Sequence, residues 1–189
     1  NADGTKSNYS NPGSSLWVSG FGGGYGNNAS HSGINTRGGN KPAMMTIDRS
    51  SCSKGYVKSG VNAGSGSNLN AFNNGDHSAN SSCNYVSTFN GTSSAAPTIA
   101  GVVALMLEAN SGLTWRDVKH ILASTSDKVD ASRAQSLSGV SQYAWITNQA
   151  DYEFHNWYGF GKVNAAAAVT SAKSYTANSR GTYVSTGYQ

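Results

Sequence analysis

Hydrophobic positions along this chain fall into three kinds of pattern, each predicting a different element. The first is a pair of short apolar runs, Ser15-Leu16-Trp17-Val18-Ser19 and Ala43-Met44-Met45-Thr46-Ile47. Runs of this length beside turn signals such as Asn11-Pro12-Gly13 read as strands. The second is the run from Ser93 to Ala109, apolar almost all round, which predicts a helix buried on every side. Pro97 is compatible with that helix, because its first turn has no internal N–H partners to lose. The third is amphipathic. Trp115, Val118, Ile121 and Leu122 form an apolar face, and Arg116, Asp117, Lys119 and His120 a polar one. Ser111-Gly112 separates these two helices, and Thr114 and Asp117 stand at capping-box spacing. Asn164 predicts the cap of a short alanine-rich helix running through Ala172. Between these elements lie a glycine-rich loop from Phe21 to Gly26, a long unpatterned stretch from Ser50 to Tyr85, and irregular chain from Ser124 to Ala150.

Composition narrows the class. Among 189 residues, 23 are glycine and only 12% are charged, a mix that suits a loop-rich secreted protein with a neutral polar surface. The net charge of +4 comes from scattered Lys and Arg, without the clustered footprint that nucleic-acid binding requires. No apolar stretch is expected to approach membrane-spanning length, so no membrane partner is predicted. Cys52 and Cys83 lack a metal-ligand spacing. They read as one disulfide across a loop of about thirty residues, the alternative being two buried free thiols. The sequence opens on Asn1 and shows no leader, so it reads as a mature product or a part of a longer chain, secreted or periplasmic.

The chemistry centres on Gly91-Thr92-Ser93-Ser94-Ala95-Ala96-Pro97. A serine hydroxyl becomes a useful nucleophile when a base takes its proton and donors stabilise the oxyanion. Placing Ser93 where an apolar helix begins aims unpaired N–H groups and the positive end of the helix dipole at the reacting centre. Small neighbours let a substrate backbone approach. A serine at a helix start is more commonly an N-cap, and Ser94 is the rival for either role.

The full word resembles the active-site serine motif of the subtilases, in which the Ser after Gly-Thr is the nucleophile. Leu113-Thr114-Trp115-Arg116-Asp117-Val118 and Tyr158-Gly159-Phe160-Gly161-Lys162-Val163-Asn164-Ala165 are similar to the kexin/furin-like branch. Tyr9-Ser10-Asn11-Pro12-Gly13 followed by Leu16-Trp17-Val18 also resembles a subtilase strand region. The resemblance implies an α/β architecture: the C-terminal part of a three-layer subtilisin-like fold, with parallel strands, a buried helix after the serine and amphipathic outer helices. It implies peptide-bond hydrolysis through an acyl-enzyme at Ser93, protein or peptide substrates, and structural calcium with no ligands identifiable here. Residues 1–172 are expected to be the C-terminal portion of the catalytic domain, and 173–189 a linker or the start of a P-like domain.

The same resemblance marks what this stretch lacks. Subtilisin's triad runs Asp, His, Ser, so both partners belong N-terminal to Ser93. The Asp-Ser/Thr-Gly and His-Gly-Thr words that would carry them do not occur, and no Asn stands in the oxyanion context. Asp3 and Asp48 have the wrong neighbours, as do His31 and His77, while His120 and His155 follow the serine. The chain is therefore expected to be inactive alone and to partner an upstream segment carrying the rest of the catalytic domain. Gly22 to Asn28 has no Asp or Glu, a departure from the branch that argues against an S1-side calcium and strict dibasic specificity. Asp48, Asp76, Asp127 and Asp130 are candidate ligands for another ion, or solvated side chains. Two other readings compete: a catalytically dead subtilase-like scaffold, and a secreted binding module whose Tyr, Trp, Asn and Gly line a groove.

Overall fold

Where hydrophobic side chains are sparse, asparagines hold this chain together. The computed structural model describes residues 1–24, 42–58, 71–73, 75, 77–133, 135–137, 140–178 and 181. These divide into two units, one of residues 1–11 and 21–97, the other of residues 12–20 and 98–189.

In the first unit, strand β1 (Met44–Ile47) pairs antiparallel with β2 (Tyr85–Phe89), matching Met44 to Phe89 and Ile47 to Tyr85 across a bulge. Few apolar groups are buried here; Val57 and Cys83 are. The loop between the strands is instead fastened by two buried amides. Asn80 Nδ2 donates to the carbonyls of Phe72 and Tyr85 at 2.8 Å each, and its Oδ1 accepts the Tyr85 N–H at 3.1 Å. Asn73 Oδ1 accepts the Ser87 N–H at 3.0 Å. A buried amide that meets both donors and acceptors replaces the ladder bonds an irregular segment cannot make. A disulfide joins Cys52 to Cys83, as the spacing predicts.

Helix α1 (Thr92–Ala109) begins at the end of the first unit and continues in the second. Pro97 is its sixth residue, so the helix loses one internal bond, to the Ser93 carbonyl. In the second unit it is followed by α2 (Trp115–Thr125) and, after four short strands in two antiparallel pairs, α3 (Ala165–Ser174). Those segments are β3 (Gln135–Leu137) with β4 (Val140–Tyr143), and β5 (Ile146–Thr147) with β6 (Glu153–Phe154). Val102, Met106, Leu113, Val118, Ile121, Leu122, Ala168 and Ala172 make the core. The capping box at Thr114 and Asp117 is formed, and Asn164 caps α3 through the Ala167 N–H. Asn110 Nδ2 reaches the carbonyls of Ala172 and Tyr175 at 3.0 Å, closing the C-terminal end of α3.

Three expectations are corrected, and a fourth, the parallel strands, is left unconfirmed. Helix α1 buries one stripe, Val102 and Met106, and leaves Leu105 51% exposed, because the residues packed on it in this unit cover one side only. The expected parallel strands reduce, among the described residues, to a single parallel bridge between Ser19 and Lys162, and the ladders are antiparallel. Trp115, predicted on the apolar face of α2, sits at its first position and is 59% exposed, whereas Asp117, predicted polar and outward, is buried by its cap role. An apolar stretch does reach a length able to cross a membrane: α1 has 18 residues with mean hydropathy 1.3, since it starts at Thr92. Core helices of soluble proteins share that length and composition, so it assigns no membrane.

Candidate active site

Ser93 is presented by a tightly fixed piece of backbone in the first unit. The Phe21–Gly24 segment passes alongside the start of α1, and each of its glycine carbonyls is held. The Gly91 N–H donates to Gly22 O at 2.9 Å. Ser7 Oγ donates to Gly23 O at 3.3 Å, joined by the Tyr9 hydroxyl. Asn90 Nδ2 donates to Gly24 O at 2.8 Å, and the Gly24 N–H is taken by Pro42 O at 2.7 Å. Close approach explains Gly22: a Cβ there would lie 2.5 Å from the Tyr9 hydroxyl and 2.9 Å from Gly91 O. Gly91 has φ +94°, a backbone region other residues enter only at a cost, and its carbonyl accepts the first helical N–H groups, from Ser94 and Ala95.

This arrangement separates the two rival serines. Ser94 is 4% exposed, and its Oγ lies 2.9 Å from both Gly22 O and Gly91 O, sharing its proton between them. Its hydroxyl is committed to holding the segment against the helix. Ser93 is exposed, one residue into α1, and its N–H and that of Thr92 precede the first N–H groups that reach Gly91 O.

The histidines take other positions. His31 lies outside the described residues. His77 caps a short 3-10 turn, its Nδ1 accepting the Ala79 N–H at 3.2 Å, and it packs on Phe72. In the second unit, His120 meets the rings of Tyr152 and Tyr175. His155 is fully buried, a feature sequence pattern did not reveal. Its Nδ1 accepts the Trp157 N–H at 3.0 Å, so the proton sits on Nε2, which faces Arg133 O at 3.2 Å. Burial pushes this imidazole below its usual range and keeps it neutral.

Among the described residues the carboxylates do not gather into a metal site. Asp48 accepts the Arg49 and Val57 N–H groups at 2.8 Å each. Asp127 is bound by Lys162 at 2.8 Å and Asn164 at 3.0 Å, and the Lys162 contact holds it below the ordinary carboxylate range. Asp130 accepts the Tyr158 hydroxyl at 2.6 Å, and Asp76 lies outside the described residues. Among the described residues no three His, Cys, Asp or Glu side chains gather. The described carboxylates thus offer no cluster that fits a calcium ion.

Comparisons with known proteins bear on the whole arrangement. A sequence profile of the subtilase family matches residues 7–161. The chain is 31% identical over 188 residues to the Aeromonas extracellular serine protease of Aeromonas sobria, covering 93% of the chain and 27% of that relative. It is 47% identical over 87 residues to the human proprotein convertase subtilisin/kexin type 6, covering 46% of the chain and 8% of that relative. The crystal structure of the serine protease of Aeromonas sobria superposes with a TM-score of 0.75 at 31% identity, over 94% of this chain and 29% of that one. The chain thus spans just over a quarter of the length of the Aeromonas protease.

Proposed function

The chain belongs to the subtilase family, and from that premise we propose that it is the nucleophile-bearing, C-terminal part of the catalytic domain of a secreted subtilisin-like serine endopeptidase. The observation that carries this reading is the division of labour between adjacent serines: Ser94 is locked onto the Gly22 and Gly91 carbonyls while Ser93 stays exposed at the helix start. A catalytically dead scaffold has no need of an exposed Ser93 on so rigid a mount.

Ser93 Oγ attacks the carbonyl carbon of the scissile peptide as its proton passes to a histidine base. The tetrahedral adduct expels the amine, which takes up that proton, and leaves an acyl-enzyme. Water then attacks the ester and frees Ser93. Negative charge on the carbonyl oxygen falls near the positive end of the α1 dipole, with the Ser93 N–H as the donor this chain supplies.

The base, its orienting Asp and the oxyanion Asn are assigned to sequence N-terminal of this stretch, which partners it to complete the site. Residues 1–172 fall to the catalytic domain and 173–189 to a linker or the beginning of a following module. The Cys52–Cys83 disulfide and the extracellular relative support secretion. Structural calcium remains a property of the family that this stretch is not assigned to bind.

The test compares hydrolysis of a fluorogenic peptide by the 189-residue chain and by a longer chain that adds the Asp-Ser/Thr-Gly and His-Gly-Thr words. Loss of a triad member typically costs a factor of about 10⁴ to 10⁶. The longer chain is expected to cleave, its Ser93→Ala variant to be silent, and the shorter chain to match that variant. Cleavage by the shorter chain, or by the Ser93→Ala variant, overturns the assignment.

A further inference from the structure

The second unit carries a concave site that the protease reading does not use. Its floor is aromatic. Trp17 and Phe160 meet edge to face with ring centroids 4.8 Å apart, and Tyr152 meets Phe160 in the same way at 5.8 Å. Its wall is one face of α2, contributing Trp115, Arg116, Lys119 and His120. It is an open cleft of about 300 Å³, at the small end of the range for small-molecule sites.

Three observations define the chemistry such a site takes. Its apolar surface is aromatic, with rings set edge to face, which suits a further ring that can stack or meet an edge. Its charged lining residues are all basic, Arg116 and Lys119, with His120 beside them and no Asp or Glu. The acids nearby in sequence are otherwise committed: Asp117 Oδ2 accepts the Thr114 and Asn178 N–H groups, and Glu153 pairs with Lys128. Finally, Lys119 Nζ stands over the Trp17 ring, 3.8 Å from its centroid and 6.0 Å from that of Trp115, so an ammonium is held beside the aromatic surface. Arg116 meets the Gly181 carbonyl through Nη1 at 3.4 Å, one of the five N–H donors a guanidinium carries.

We propose that this pocket binds a small aromatic carboxylate, with its ring against Trp115 and the Trp17–Phe160 floor and its carboxylate on Lys119 and Arg116. A neutral ring gains only the apolar part of this arrangement. A carboxylate adds charge-assisted hydrogen bonds from a lysine already placed beside the ring site. Covering Trp115, an indole left 59% exposed, adds apolar burial on the same event.

The experiment titrates the 189-residue chain with 3-phenylpropionate and, in parallel, with neutral 3-phenylpropanamide, following the indole N–H signals of Trp17 and Trp115 by NMR. The acid is expected to shift both signals saturably with a Kd on the order of 1 mM, and the amide to bind at least about tenfold more weakly. Lys119→Met is expected to erase the difference between acid and amide. Trp115→Ser, at an exposed position that leaves the fold unchanged by circular dichroism, is expected to abolish the shift at Trp17. Equal binding of acid and amide, or no saturable shift of either indole up to about 10 mM acid, overturns the proposal. None of these readouts depends on peptide hydrolysis.

Discussion

At the scale of single residues, two adjacent serine hydroxyls have opposite surroundings, Ser94 buried and Ser93 exposed. Ser94 Oγ is buried between two carbonyl oxygens, so Ser94→Ala removes the hydroxyl donor while each carbonyl keeps a backbone N–H. A lost hydrogen bond of this kind costs about 0.5–1.5 kcal/mol, and a urea titration is expected to show that loss. Ser93→Ala removes an exposed hydroxyl and is expected to stay within about 0.5 kcal/mol of the parent chain. If the two variants lose equal stability, the roles assigned to these serines fail. His155 gives the chain a pH dependence of known sign. Its folded pKa lies below the ordinary value of 6.5, so the unfolded chain takes up a proton first as the medium becomes acidic. The stability it contributes is complete above about pH 6.5 and declines as pH falls toward the folded value. The urea midpoint is expected to drop between about pH 7.5 and 5.5, and His155→Gln to flatten that slope while lowering the midpoint overall. A wild-type midpoint that does not move over this range contradicts the buried neutral imidazole.

Elements show where sequence pattern was sufficient and where it was not. Local signals were readable because they rest on bonds within a few residues. The Thr114–Asp117 capping box, the Asn164 cap and strand Met44–Ile47 all form where spacing and composition place them. Thr114→Ala is expected to destabilise by about 1 kcal/mol, measured by thermal or urea unfolding, because it removes a cap that satisfies a first-turn N–H. Long-range facts were not readable. The Phe21–Gly26 glycines mark a loop, but nothing in the local pattern says that Tyr9, Asn90 and Ser94 will hold its carbonyls. Asp117 looks like a surface acid until the Asn178 N–H, 61 residues away, is found on its carboxylate. His155 has no periodic signature at all, because it is buried by a turn rather than by a helix face or a strand. The apolar run of α1 told of a helix but not of its burial, which depends on what else packs against it. The Cys52–Cys83 bridge was legible from spacing and context, and its sequence separation of 31 sets its effect. Reduction is expected to cost roughly 3–4 kcal/mol by the loop-entropy estimate, read as a lower urea midpoint.

At the scale of the whole molecule, apolar side chains stand exposed among the described residues of both units. Leu105 on α1 is half exposed in one unit, and Met45 and Ile47 on β1 face solvent in the other. Exposed apolar groups of this kind are what a protein partner covers. In the reading developed above that partner is the upstream segment bearing the triad Asp and His, so the longer chain is expected to shield these residues from solvent. The central claim remains that Ser93, and not its neighbour, is the nucleophile. Its most direct test is a fluorophosphonate reaction with the longer, cleaving chain, followed by proteolysis and mass mapping of the adduct. The account predicts the adduct on Ser93, with none formed on the Ser93→Ala variant. An adduct on Ser94, or labelling that persists in the Ser93→Ala variant, contradicts it.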